Sequence, residues 1–188
     1  MTDIWNKYAD TAARTHGKPG RTQRPKSVTI DMHAHVTVPR VAEIVAPHLK
    51  NSTDPLVATS TPETQALMAK QAADVRTRMS TTDERFAAMD EMGVDMQLIC
   101  PAPPQIYYHL PLDVGVQAAR ALNDGIAEYV GKHKNRLVAL GGVPMQDGNE
   151  AAIELERGMK QLGFKGVEIL TNVNGKELSD PAFAPFWK

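Results

Sequence analysis

Four short apolar segments alternate with amphipathic segments along this chain, and this alternation constrains the fold more than any other feature. Each apolar segment has the length of a buried strand without a clean apolar–polar alternation, which favours strands covered on both faces. The four are VTIDMH (28–33), VDMQLIC (94–100), LVALGGV (137–143) and GVEIL (166–170). Helical patterns over 81–93, 112–135, 147–164 and from 180 onward separate or follow them. The order β-α-β-α-β-α-β-α predicts an α/β fold with parallel strands.

The length of the chain bears on how such a sheet closes. A doubly wound sheet and a (β/α)8 barrel both fit the strand order, but a complete barrel usually needs about 250 residues, and the chain has 188. We therefore expect the N-terminal half of a TIM barrel, with about four βα units over 28–188. A complete four-stranded α/β sandwich is the alternative.

Two segments lie outside the βα pattern. Residues 1–27 form a predicted polar arm, and 36–82 form a predicted insertion after the first strand, where barrels bind substrate.

Two histidines one residue apart end the first apolar segment. On a regular strand Asp31, His33 and His35 share one face, because side chains alternate with a period of two. The pair lies at the carboxyl end of the strand, where α/β folds bind ligands. Two imidazoles at that position suit a divalent ion such as zinc. The alternative is a pair of half-buried histidines bonded to loop carbonyls.

The bulk composition excludes several classes of partner. The formal net charge is −1, so the charge predicts neither nucleic acid nor an anionic membrane as a partner. No apolar run is long enough to span a bilayer. The single cysteine, Cys100, cannot form an internal disulfide, which favours a reducing, cytoplasmic setting. We interpret Cys100 as a buried strand residue.

The segment IDMHAH resembles the metal motif of the amidohydrolase superfamily. RFAAMDEMGVDMQLIC (85–100), a long stretch over 121–175 and DPAFAPFW (180–187) resemble the branch that contains aminocarboxymuconate-semialdehyde decarboxylase and γ-resorcylate decarboxylase. This resemblance implies a distorted (β/α)8 barrel that binds Zn²⁺, or alternatively Mn²⁺, and uses no organic cofactor. His33 and His35 would bind the metal with a histidine from the fifth strand and an aspartate from the eighth. That aspartate and an acid/base histidine from the sixth strand are expected beyond Lys188.

Two further groups are candidates for substrate binding. Arg76 and Arg78 resemble the position of a substrate arginine in the decarboxylases, and a guanidinium suits a carboxylate through a bidentate fork. A solvated helix end is the alternative for both. Thr171 and Asn174 follow the fourth strand, so they lie at the same end of the predicted barrel as the histidine pair. Turn formation before Gly175 explains both residues equally well.

The resemblance implies a metal-dependent decarboxylase, a carbon–carbon lyase acting on an aromatic or unsaturated carboxylate in aromatic catabolism. One alternative is a metal-dependent hydrolase of an ester, lactone or amide. Another is a non-catalytic, truncated half-barrel that persists only by pairing. We expect the intact enzyme to be active and residues 1–188 alone to be inactive. The expected partners are a small carboxylate substrate and further copies of the chain in a homo-oligomer.

Overall fold

A computed structural model describes residues 28–49 and 58–188. The parallel strands are β1 (Ile30–Val36), β2 (Met96–Pro101), β3 (Leu137–Ala139), β4 (Gly141–Gly142) and β5 (Val167–Glu168), and a short antiparallel pair, β6 (Asn172–Val173) and β7 (Lys176–Glu177), follows. The helices are α1 (Pro39–Leu49), α2 (Pro62–Ser80), α3 (Thr82–Met92), α4 (Leu112–Gly131), α5 (Gly148–Arg157) and α6 (Ala184–Trp187). The mixed α/β class is confirmed. The predicted arm lies outside the described residues, as does part of the predicted insertion, 50–57.

The parallel strands lie side by side in chain order. β1, β2 and β3 form one sheet, and β4 pairs with β5. Leu140 joins the two parts, because its backbone N–H donates to Ile99 (2.8 Å) while the next N–H, of Gly141, donates to Gly166 (3.0 Å). The apolar segment predicted as the third strand thus pairs with β2 in its first half and with β5 in its second.

A β-bulge in β1 changes which side chains share a face. Asp31 aligns with Gln97 and Ala34 with Ile99, so two residues of β1 between these pairs oppose one residue of β2. His35 aligns with Cys100. Because Gln97 and Cys100 are an odd number of residues apart on one strand, they face opposite sides of the sheet. The prediction that Asp31 shares a face with His35 is therefore wrong; the Asp31 carboxylate instead accepts a hydrogen bond from Gln97 Nε2 (2.9 Å).

Two apolar clusters hold the strands and helices together. The larger cluster joins β1, β2 and β3 to α1, α3 and α4, and it includes Val41, Met89 and Ile126. The smaller cluster lies around Met145 and Phe183. Helix α1 was not predicted, although Pro39 at its start and the buried pair Val41 and Val45, four residues apart, are ordinary helix signals.

Candidate metal centre

The two histidines of β1 lie against each other. The ring centroids of His33 and His35 are 4.6 Å apart, and their planes meet at 84°. His35 Nδ1 lies 2.8 Å from the carbonyl oxygen of Pro101, the last residue of β2. A carbonyl oxygen only accepts, so in this bond Nδ1 carries the proton and Nε2 keeps the lone pair that a metal requires. The structure thus brings together the two side chains that the motif predicted as ligands.

Cys100 adds a sulfur atom to this pair. One donor atom each from His33, His35 and Cys100 lies within 4.8 Å of the others. Cys100 Sγ lies 3.4 Å from His35 Nδ1 and 3.5 Å from the carbonyl oxygen of Ala34. Burial, and then the neighbouring Glu168 carboxylate, raises the pKa of the thiol to about 12. The prediction of a buried strand residue is confirmed, but its place beside the histidines was missed.

Glu168, the last residue of β5, extends toward the same cluster. Its Oε2 lies 4.0 Å from His35 Nδ1. That oxygen is buried and has no hydrogen-bond partner among the described residues. His35, Cys100 and Glu168 all lie at the carboxyl ends of parallel strands, so three strands contribute side chains to one rim.

Other buried polar atoms without a described partner follow the ends of the strands. They are Tyr108 Oη, His109 Nε2 and Gln146 Oε1. Burial raises the pKa of the Tyr108 hydroxyl well above its ordinary value, and the Glu168 carboxylate raises it further. Because native interiors leave few polar atoms unpaired, these atoms are candidates for contact with a polar ligand.

A buried arginine supports β1 from the helix side. Arg85 of α3 donates through Nη2 to the carbonyl oxygen of His35 and through Nη1 to Gln97 Oε1 (3.0 Å). Its Nε donates to Tyr129 Oη on α4 (2.9 Å). The guanidinium therefore links the backbone of β1 at His35 to two helices, α3 and α4.

The candidate substrate arginines lie on the helix that ends beside β1. Arg76 and Arg78 are exposed on α2. The last turn of that helix is tied to the end of β1, because Thr37 N donates to the carbonyl oxygen of Met79 (3.0 Å). The structure places both side chains within one turn of this link, and their role in binding a carboxylate stays a prediction.

Thr171 and Asn174 follow β5, and Asn174 forms part of the turn between β6 and β7. Asn174 has a positive φ of 52° and precedes Gly175 at 81°, which is the backbone of a tight turn between β6 and β7. The Asn174 side-chain amide donates to the carbonyl oxygen of Tyr108 (2.7 Å). Thr171 is exposed. Turn formation accounts for Asn174, and a substrate contact of either residue stays a prediction.

The fold and this rim of nitrogen, sulfur and oxygen donors define an α/β protein with a candidate divalent-metal centre. The model of one family, Amidohydrolase, matches residues 30–188. The chain belongs to this amidohydrolase family.

The relatives with curated names are decarboxylases. The chain is 34% identical over 106 residues to 2-amino-3-carboxymuconate-6-semialdehyde decarboxylase of Dictyostelium discoideum. This alignment covers 56% of this chain and 30% of that protein. It is 35% identical over 94 residues to a γ-resorcylate decarboxylase of a Polaromonas species, which covers 50% and 29%. The predicted resemblance to this branch is confirmed, and the aligned part spans about a third of the curated relatives.

Solved structures of decarboxylases share the fold. The 5-carboxyvanillate decarboxylase of Novosphingobium aromaticivorans superposes with a TM-score of 0.75 at 22% identity, over 91% of this chain and 49% of that one. The enzyme of the same name from Sphingomonas paucimobilis gives 0.69 at 30% identity, over 85% and 48%. The chain thus spans about half the length of these structures.

The Novosphingobium structure contains bound manganese together with 3-methoxy-4-hydroxy-5-nitrobenzoic acid. For this chain, zinc as the main metal stays a prediction, with Mn²⁺ as the alternative. Among the described residues, no helix combines the length and hydropathy that crossing a membrane requires.

Proposed function

We propose that residues 28–188 supply four βα units of a (β/α)8 barrel that decarboxylates an aromatic or unsaturated carboxylate with the help of a divalent metal. One observation carries the proposal. His33 and His35 lie side by side at the carboxyl end of the first parallel strand, with ring centroids 4.6 Å apart. In barrel enzymes this rim contains the active site.

The donor atoms at the rim fit a divalent ion. Imidazole nitrogens suit zinc, whereas carboxylate oxygens such as the unpartnered Glu168 oxygen beside them also suit manganese. When bound, the metal would act as a Lewis acid on a substrate oxygen. As the resemblance implies, further ligands and an acid/base histidine would come from later strands of the barrel.

The chain's own residues orient these ligands. The Pro101 carbonyl fixes the tautomer and the plane of the His35 ring. Arg85 holds the strand backbone at the carbonyl of the same residue. Because both contacts come from buried or half-buried groups, the His35 ring is preorganised before any ion binds.

The substrate carboxylate would pair with a cation near the rim. Arg76 and Arg78 lie on the helix whose last turn is bonded to the end of β1, which supports a role for one of them in binding a carboxylate by two parallel hydrogen bonds. The buried hydroxyl of Tyr108, which has no partner among the described residues, would then donate to a ring substituent.

The relatives favour a decarboxylase over a hydrolase, because each curated relative reported above has a decarboxylase name. The test is release of CO2 from a panel of aromatic and unsaturated carboxylates by the protein as the cell makes it, supplied with Mn²⁺ or Zn²⁺. We expect release by the wild type and a loss of at least 100-fold in a His33→Ala, His35→Ala double variant.

Two results would contradict the proposal. One is CO2 release that the double variant leaves unchanged, which would remove the histidines from the reaction. The other is conversion of esters, lactones or amides without any release of CO2, which would support the hydrolase. His133→Gln serves as a control, because that residue packs against Phe86 away from the rim.

A further inference from the structure

We propose that Asp31 is a positioning residue for the metal, and that it acts through Gln97 and Arg85. Together these three side chains fix the backbone segment 33–35, which carries both histidines. This inference rests on the proposed function in one respect, which is that His33 and His35 are metal ligands. It adds a role for side chains on the face of the sheet opposite His35.

The bulge in β1 makes this support necessary. Met32 and His33 together oppose one residue of β2, so the regular ladder of hydrogen bonds is interrupted where the first histidine lies. Asp31 supplies an acceptor at this point, because its Oδ1 accepts a hydrogen bond from the backbone N–H of His33 (3.1 Å). The start of the segment 33–35 is thus held by the Asp31 carboxylate.

Gln97 connects this carboxylate to Arg85. Gln97 Nε2 donates to Asp31 Oδ2 (2.9 Å), and Gln97 Oε1 accepts from Arg85 Nη1 (3.0 Å). The Gln97 side chain is buried, and both ends of its amide are engaged, so its orientation is fixed. Arg85 donates in turn to the carbonyl oxygen of His35. A continuous path of hydrogen bonds therefore runs from His33 N to His35 O and restrains the histidine segment at both ends.

Arg85 is itself held in place, and Asp31 balances its charge. Arg85 Nε donates to Tyr129 Oη (2.9 Å), and that hydroxyl donates to the carbonyl oxygen of Thr81 (2.8 Å). The guanidinium is buried, and the groups that accept its hydrogen bonds among the described residues are uncharged. A buried charge without an opposite charge nearby is costly. The Asp31 carboxylate supplies that opposite charge one amide away.

The path affects the metal because the segment 33–35 determines where the two imidazoles lie. The ring centroids of His33 and His35 are 4.6 Å apart, and a shift of the backbone between them would change this spacing. Loss of a group that orients metal ligands typically weakens metal binding by about 10- to 100-fold. We therefore expect the Asp31 carboxylate to contribute to metal affinity without contacting the ion.

The test exchanges the carboxylate and the amide between positions 31 and 97. Asp31→Asn replaces one of two acceptors by a donor, and Gln97→Glu places two carboxylates together, so each single variant breaks the path. In the double variant Asp31→Asn, Gln97→Glu, the amide at position 31 donates to the carboxylate at position 97. Its oxygen still accepts from His33 N, and the carboxylate still accepts from Arg85. The double variant therefore restores the path with one hydrogen bond reversed.

The measurement is the Mn²⁺ affinity of the protein as the cell makes it, obtained from the electron paramagnetic resonance signal of the free ion. We expect each single variant to lose about 10- to 100-fold in affinity, and the double variant to recover to within a few-fold of the wild type. Asp95→Asn is the matched control. The half-buried Asp95 carboxylate accepts from the backbone N–H of Thr29 just before β1 (2.8 Å), at the other end of the strand, so the Mn²⁺ affinity should stay unchanged.

Three results would overturn the inference. The first is single variants that are less stable to urea but bind Mn²⁺ like the wild type, which would limit the path to stabilising the fold. The second is a loss of affinity that the double variant does not recover, since the two residues would then not act through each other. The third is an equal loss of affinity in Asp95→Asn.

Two further comparisons keep the outcome decisive. If a single variant fails to fold, which far-ultraviolet circular dichroism reveals, the double variant decides, because its failure to fold or to bind Mn²⁺ contradicts the inference. If the His33→Ala, His35→Ala variant keeps the wild-type affinity, the histidine site of the proposed function falls and the inference falls with it. If that variant loses Mn²⁺ while Asp31→Asn and Gln97→Glu keep it, the histidine site stands and only the positioning role is rejected.

Discussion

The Asn123 side chain on α4 makes two hydrogen bonds to the backbone of Gly142 on β4. Its Oδ1 accepts from Gly142 N and its Nδ2 donates to Gly142 O, both at 2.8 Å. The same Nδ2 also donates to the buried carboxylate of Glu154 on α5 (2.6 Å). One amide thus joins two helices to the strand that pairs with β5, which carries Glu168.

Removing the carboxylate from this network should destabilise the fold. Glu154 is 2% exposed, and besides Asn123 it accepts hydrogen bonds from Arg157 Nε and Nη2. Glu154→Ala takes the buried acceptor away from a partly buried guanidinium and a buried amide, which keep Asp124 and the Gly142 carbonyl as acceptors, so we expect a loss of about 3 kcal/mol in the free energy of unfolding. Urea denaturation followed by circular dichroism measures it.

The same helix offers a matched control for that experiment. Glu156 pairs with Lys160 one turn later, and both side chains are exposed. Exposed pairs contribute little because solvent screens them, so Glu156→Ala should give no measurable change. Equal losses in the two variants would show that the network does not stabilise the protein.

The thiol of Cys100 predicts a pH dependence of stability in the metal-free protein. Its pKa in the folded protein is about 12, above the ordinary value of 9.0, because it is buried and lies beside Glu168. The folded state therefore holds the proton more tightly than the unfolded chain. The resulting stabilisation is complete below pH 9 and is lost as the pH rises toward 12.

We expect the free energy of unfolding, measured in a chelator, to fall more steeply between pH 9 and pH 11 in the wild type than in Cys100→Ser. The serine variant is the control because its hydroxyl does not titrate in this range. Parallel curves for the two proteins would show that the thiol has an ordinary pKa in the folded state.

The strand order and the histidine pair were predictable because they depend on local signals. Apolar runs of strand length, helix stops such as Gly93, which adopts φ 70°, and side chains two residues apart in β1 are all visible in the sequence. They indicated the α/β class and placed His33 and His35 side by side.

The rest of the site depends on distant residues. Cys100 meets His35 through a strand register that joins positions 65 residues apart, and Glu168 reaches them only because the third strand bridges β2 and β5. The bulge in β1 places Asp31 on the face of the sheet opposite His35, and no residue type in the sequence predicts this bulge. Such contacts follow from the curvature and register of the sheet, which periodicity does not encode.

The last prediction concerns the free edge of β1. This strand lies at the edge of the sheet formed by the described residues, and its side chains Ile30 and Met32 are 51% and 65% exposed. An exposed strand edge with apolar side chains is a template for pairing with another chain. We therefore expect residues 1–188 to self-associate, and an Ile30→Lys, Met32→Lys variant to shift sedimentation velocity toward the monomer. Leu67→Lys on α2, where the leucine is 44% exposed, is the control for added charge alone. A monomeric wild type at micromolar concentration, or an equal shift in the Leu67 variant, would show that this edge is not where copies meet.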